Sequence, residues 1–367
     1  MSPLVPIPST LLDRFEAAGL RRVEPSILQP SEPFLHVMGE ELRQRMFLTS
    51  DAEGRELCLR PDFTIPVARA HLAGPDAAAA RAYFYAGPIF RQRRSGPSET
   101  PQAGVESFGR ADSLACETEM LALALEACAT LGVAEPHIQL GDLGLIAAAV
   151  EAVDAPDALK RRLTREIAYG GATLDALADP GPAPQELEGL FAALDAAGPK
   201  AARAVIEDVL SLAGIAAVGG RTPAEIADRF IEQNAARSAG ALDDEARRAL
   251  NAFLAIEGGA REAADRLAAL ASSGLGLGAA AEAFAARLDA FEAAGLPVNR
   301  MRFSARFGRR LDYYTGLVFE LSQPGQAEGP LAGGGRYDRL LSALGAPSPV
   351  TGVGFSLWLD RFPGAAR

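Results

Sequence analysis

Phe307-Gly308-Arg309-Arg310-Leu311-Asp312-Tyr313-Tyr314-Thr315-Gly316 opens a stretch that continues through Leu317-Val318-Phe319-Glu320-Leu321 and closes with Ala332-Gly333-Gly334-Gly335-Arg336-Tyr337-Asp338. The run after Gly316 is short, β-branched and aromatic, and bounded by Gly and Pro, so it reads as a buried strand. An arginine and a tyrosine pair stand at its entrance, and three glycines make a turn beyond its exit. Paired tyrosines offer a flat wall with two hydroxyls. Arginine clamps a carboxylate or phosphate through a forked donor set. Consecutive glycines let backbone approach backbone, or a ligand, with no Cβ in the way. Taken alone, a tyrosine pair at a strand start is more often core and rim than a ligand wall. The glycines lack both the Gly-Lys-Ser/Thr ending of a P-loop and the strand-to-helix context of a dinucleotide site.

Two other strings carry polar groups at usable spacing. In Leu57-Cys58-Leu59-Arg60-Pro61-Asp62-Phe63-Thr64, extended backbone would point Asp62 and Thr64 the same way, a carboxylate and a hydroxyl fit for an ammonium group. The plain alternative is that one of them caps a helix with Pro66 in its first turn. Ala82–Arg91 and Gln102–Gly109 read as an antiparallel hairpin, which puts Gln102 and Glu106 on one strand face.

The remaining chain supplies framework. Leu11, Leu12, Phe15, Ala18 and Leu20 are spaced as a helix over 8–20, while 22–27 and 46–49 are strand-like. Residues 113–132 read as one amphipathic helix. From 146 to 299 the composition is rich in Ala, Leu and Glu. A capping box stands at Thr222-Pro223-Ala224-Glu225, with breaks at 180–184 and 274–278, so a mostly helical insertion is expected. A short helix over 339–345, a last strand over 350–357 and a helix starting at Trp358 complete the pattern. Periodicity alone gives α+β.

Composition narrows the function classes. The 367 residues are 49% hydrophobic and 23% charged, with a formal net charge of -11. No window of about 18 residues is apolar and uncharged, so no membrane span is expected. The N-terminus has no basic region before an apolar core, so a cytoplasmic location is expected. Cys58, Cys116 and Cys128 are spread without a disulfide or metal pattern, and His36, His71 and His137 are far apart. Buried free thiols and no metal or cofactor are the expectation. Polyanions are bound mainly through Lys and Arg, so an acidic chain is a poor general tRNA binder.

The opening stretch as a whole resembles the histidine-specific signature of histidyl-tRNA synthetase. Leu59-Arg60-Pro61-Asp62-Phe63-Thr64 resembles that family's Leu-Arg-Pro-Glu-x-Thr, with Asp62 in place of Glu. Phe90-Arg91 and Gln102-x-Gly104-x-Glu106 resemble its motif 2, and 350–361 its motif 3. The resemblance covers about 10–145 and 300–361. It implies a class II aminoacyl-tRNA synthetase-like fold, an antiparallel sheet of six or seven strands flanked by helices. It also implies dimerisation through the N-terminal helix and the segment around Pro25. The implied amino-acid pocket is Asp62, Thr64, Arg91, Gln102, Glu106, Arg309, Tyr313 and Tyr314. Asp62, Gln102 and Glu106 would take an amino group, Arg91 and Arg309 a carboxylate, and the tyrosines an imidazole.

The departures concern the nucleotide and the tRNA. Arg93 stands where the family has Glu, and the loop Ser95–Pro101 is short and holds an acid. Asp360 replaces Glu beside Arg361, which matches the arginine that stacks on adenine. Trp358 replaces the glycine that makes room for that ring. No anticodon-binding domain, on the order of 100 residues, is expected after motif 3. A kept amino-acid pocket without a nucleotide pocket resembles the regulatory subunits of ATP phosphoribosyltransferase. These are non-catalytic paralogues of the synthetase. That resemblance implies a short-form catalytic subunit as partner, histidine as effector, and a place in the first step of histidine biosynthesis. The alternatives are a free-standing adenylate-forming paralogue and a scaffold that no longer senses histidine.

Overall fold

In a computed structural model, the described residues are 7–38, 40–169, 242–309, 311, 313–323, 325 and 329–363, with scattered positions between 174 and 231. The capping box at 222–225 and the breaks at 180–184 lie outside them, except Ala224. So do Arg310 and Asp312.

Nine strands form one sheet in the order β1-β5-β6-β12-β11-β10-β7-β9-β8. They are β1 (Arg21–Arg22), β5 (Arg81–Phe90), β6 (Glu99–Phe108), β7 (His137–Asp142), β8 (Glu257–Gly259), β9 (Met301–Ser304), β10 (Leu317–Ser322), β11 (Ala332–Arg336) and β12 (Gly352–Trp358). The pairings are antiparallel except β1 with β5 and β7 with β9. A second sheet is ordered β2-β4-β3, from Leu28–Pro30, Glu56–Leu59 and Phe47–Ser50. The sheet is thus wider than the expected six or seven strands. Its extra edge comes from β7, β9 and β8, which are short or carry charges that blur the apolar pattern.

One face of the sheet packs against α1 (Ser9–Ala17), α5 (Ser113–Thr130), α6 (Leu143–Glu151), α8 (Asp244–Leu254), α9 (Ala260–Ser272) and α10 (Gly278–Ala293). The apolar positions of α8 to α10, among them Phe253, Leu267 and Phe284, belong to the same core as Val105 and Phe355 of the strands. Strand β8 also lies within 146–299. The described part of that segment is therefore mostly helical, yet its later half is built into the main sheet. The opposite face carries a second core with α2 (Glu32–Val37), α4 (Thr64–Leu72) and α11 (Leu340–Ala343). α3 (Glu40–Arg43) and α7 (Asp157–Tyr169) complete the labelled helices.

Strand alternation decides which side chains reach this second face. Ala103 and Val105 of β6, and Val353, Phe355 and Leu357 of β12, point into the first core. Gln102 and Glu106 of β6, and Ser356 and Trp358 of β12, therefore point the other way. Register sets Glu106 opposite Gly354 and Gln102 opposite Trp358.

Three local readings change. Thr64 opens α4 instead of extending a strand, and Asp62 Oδ1 accepts from Ile65 N at 3.4 Å. The capping alternative describes this turn. Gly333-Gly334-Gly335 form strand β11 in mid-sheet, with no turn there. Of 22–27, only Arg22 lies in a strand, although Val23 N donates to Phe84 O and Ile27 O accepts from Arg60 N, both at 2.9 Å; the next strand begins at Leu28 in the small sheet.

Candidate functional site

A cavity of about 430 Å³ opens on the second face, above the middle of the large sheet. Its lining includes Asp62, Thr64, Arg91, Gln102, Arg309, Tyr313 and Tyr314, seven of the eight side chains expected from sequence. They come from four separate segments. Asp62 and Thr64 sit at the N-terminus of α4. Arg91 follows β5, and its Nε donates to Pro61 O at 2.6 Å. Gln102 stands on β6. Arg309, Tyr313 and Tyr314 lie in the loop before β10. Arg60 holds the Asp62 turn in place: its Nε donates to Pro88 O at 2.9 Å and its Nη1 to Pro25 O at 2.6 Å.

Glu106 lies one layer behind the lining. It is 1% exposed; Thr64 Oγ1 donates to its Oε1 at 2.7 Å, and Tyr337 Oη donates to its Oε2. A Cβ on Gly354, the register partner, would overlap Oε2, so glycine is what admits this carboxylate between the strands. Gly333 does the same for Arg309, whose Nη1 occupies the place of the missing side chain. Arg309 Nη1 also donates to Glu320 Oε1 at 3.1 Å, which ties the loop to β10. The sequence motifs contain Glu320 and Tyr337 but do not mark them as site residues. A carboxylate inside the apolar run 317–321 was the available signal. Ser356, Leu42 and Arg45 also line the cavity, and no local pattern marks them.

The electrostatics are those of charges taken out of water. Burial pushes the Asp62 carboxyl up to about 6, opposed by the nearby Arg91 charge and the Ile65 amide. Burial pushes Glu106 up to about 8, against the hydrogen bonds from Tyr337 and Thr64. Arg91 is lowered by burial to about 10 and stays cationic near neutrality. Among the described residues, three buried polar atoms of the lining have no hydrogen-bond partner: Asp62 Oδ2, Gln102 Oε1 and Arg309 Nε. Buried polar atoms are seldom left unpaired, because each costs about 1–3 kcal/mol. Two orphan acceptors and one orphan donor suit a ligand that brings an ammonium and a carboxylate. Tyr313, Tyr314 and Tyr337 form an aromatic wall, with ring centroids 4.9 Å apart for the first two and 5.6 Å for Tyr313 with Tyr337.

The side of the cavity nearest the end of β12 is built differently. The Trp358 ring is flanked by two guanidinium groups, Arg361 at 4.7 Å and Arg309 at 5.5 Å from its centroid. Arg361 Nη1 also donates to Pro330 O at 2.6 Å. The indole takes the stacking face of Arg361 that a planar ligand would need.

Among the described residues, no group of three or more His, Cys, Asp or Glu could hold a metal ion, and no helix is long and apolar enough to cross a membrane. All three cysteines are buried and free. Burial pushes the Cys58 and Cys128 thiols up to about 12.

The sequence matches the histidyl-tRNA synthetase family over residues 5–218 and 224–362. An ATP phosphoribosyltransferase regulatory subunit from Mesorhizobium japonicum is 45% identical over 367 residues, covering 97% of this chain and 96% of its own. One from Brucella canis is 42% identical, covering 98% and 97%. Among solved structures, an ATP phosphoribosyltransferase regulatory subunit/histidyl-tRNA synthetase from Bacillus halodurans superposes with a TM-score of 0.69 at 21% identity. It covers all of this chain and 83% of the other. A histidyl-tRNA synthetase from Nostoc gives 0.62 at 17%, covering 96% of this chain and 69% of that one. These superpositions identify the class II synthetase-like α+β fold. Near-full-length identity with the curated relatives places the chain, on that fold, in the ATP phosphoribosyltransferase regulatory subunit family.

Proposed function

We propose that this chain is a non-catalytic regulatory subunit that binds a short-form ATP phosphoribosyltransferase catalytic subunit, supports its activity and confers feedback inhibition by histidine. The observation that carries this is the cavity's set of unpaired polar atoms, Asp62 Oδ2, Gln102 Oε1 and Arg309 Nε. In this reading Asp62 and Gln102 take the amino group and Arg91 and Arg309 the carboxylate. The tyrosine wall, with Thr64, faces the imidazole. Glu106 acts through Thr64, which it holds at 2.7 Å, as a positioning residue.

The Trp358–Arg361 stack supports the non-catalytic part. An adenylate-forming enzyme must seat a nucleotide base, and here an indole already covers the arginine face. The acidic balance of -11 supports a function without tRNA. Ile27, Leu28 and Leu48 are 43%, 50% and 49% exposed on and beside the small sheet, which supports a homodimer formed through the N-terminal segment. A cytoplasmic site of action follows from the biosynthetic role.

Reconstitution tests the reading. The catalytic subunit of the same organism is assayed for product formation from ATP and phosphoribosyl pyrophosphate, with and without this chain. A rate increase that histidine reverses is expected. No increase, together with histidine-dependent exchange of pyrophosphate into ATP by this chain alone, would establish the adenylate-forming alternative instead.

A further inference from the structure

A second and larger cavity, about 690 Å³, lies beside the first and shares Arg309, Leu311 and Tyr314 with it. Its other walls come from α6, α7, Thr315 and Arg339. Helix α7 supplies most of them, and its sequence explains why. Leu159, Leu163 and Ile167 recur at helical spacing and are buried in the core. The opposite face, Asp157, Lys160, Arg161, Thr164, Arg165 and Ala168, lines the cavity.

Among the described residues the lining holds five cations (Lys160, Arg161, Arg165, Arg309, Arg339) against two carboxylates (Glu151, Asp157). In a chain of net charge -11 this local excess is unusual. Internal pairing removes part of it. Lys160 Nζ sits 3.2 Å from Glu151 Oε1, and Arg309 is held by Glu320. The side chains of Arg161 and Arg339 make no ion pair or hydrogen bond among the described residues. Both line the cavity, one from α7 and one from just before α11. Surface arginines converging on a concavity without carboxylate partners repel each other unless an anion lies between them. The guanidinium fork fits phosphate oxygens in a bidentate manner, and the volume is that of a small-molecule site.

We infer that this cavity binds a phosphate-bearing small molecule, with Arg161 and Arg339 as its principal contacts. The inference rests on the cavity and its charges, independently of the histidine reading. Because Arg309 and Tyr314 wall both cavities, a ligand in one alters the surroundings of the other, and any effect on affinity is reciprocal.

The test is isothermal titration of the full chain with inorganic pyrophosphate, repeated at raised salt. Saturable binding that weakens with salt is expected. Arg161→Glu and Arg339→Glu should each weaken it about tenfold or more. Both residues are exposed, so these variants should keep the melting temperature of the parent. Arg161→Gln and Arg339→Gln serve if the charge reversals do not fold. Asp62→Asn, which probes the first cavity, should leave pyrophosphate binding intact. Absence of saturable binding at millimolar pyrophosphate overturns the proposal, as does equal binding by the double Gln variant.

Discussion

Two clusters of buried charge lie on this sheet, and they are finished to different degrees. In the first, Glu117 of α5 takes Arg287 Nε at 2.6 Å and also Arg336 Nε. Asp142 takes Arg287 Nη1 at 2.7 Å and caps α6 through Gly144 N at 2.7 Å. Arg336 also reaches Asp338 at 3.0 Å. None of these side chains leaves a buried polar atom unpaired. The cluster ties α5 and α10 to the strand that carries the three glycines. In the second, Asp62, Gln102 and Arg309 each keep one buried atom unpaired, and Glu106 is displaced well above the ordinary carboxylate range. Protein groups complete the first cluster, whereas in the second three buried polar atoms have no partner among the described residues. The first therefore reads as a fastener and, under the proposed function, the second as a receptor.

The sharpest way to break this contrast is Glu117→Ala. It takes the Glu117 carboxylate from two buried arginines, leaving Arg287 only Asp142 and Arg336 only the half-exposed Asp338 as ion-pair partners among the described residues, and should cost about 3–5 kcal/mol in urea unfolding. A loss below about 1 kcal/mol would put both clusters in one class. Asp62→Asn should do the opposite. It relieves a buried carboxylate, so the midpoint should hold or rise, while histidine affinity by calorimetry falls by about 1.5–3 kcal/mol.

A pH series sharpens the comparison further. Glu106 is raised from an ordinary 4.5 to about 8. Its contribution to stability is whole below about 4.5 and is lost as pH rises through about 8, because the folded state must then hold a buried charge. Stability of the ligand-free chain should fall across that window, and Glu106→Gln should flatten the fall. An identical slope in the variant would remove Glu106 as the titrating group. Arg14→Ala supplies the smallest effect, below about 1 kcal/mol, since the Arg14–Glu126 pair at 2.6 Å is half exposed on both sides. A larger loss would show that exposed pairs matter here as much as buried ones.

The legibility of this protein divides along a physical line. Contiguous strings determined the hairpin of β5 and β6, the buried strand β10, the amphipathic helix α5 and the α+β class. Period and turn chemistry act over neighbouring residues, so one sequence displays them. The strings 57–64, 82–109 and 307–338 contained all eight proposed site residues. Tertiary structure decided what they do together. Strand register set Glu106 behind Thr64, with Gly354 making the room, and made a mid-sheet strand of three glycines that locally resemble a turn. Tertiary packing also brought the polar face of α7 and Arg339, some 180 residues away in the chain, to one cavity that no motif announces. Which buried atoms end without a partner depends on packing between distant segments, and that is written only in three dimensions.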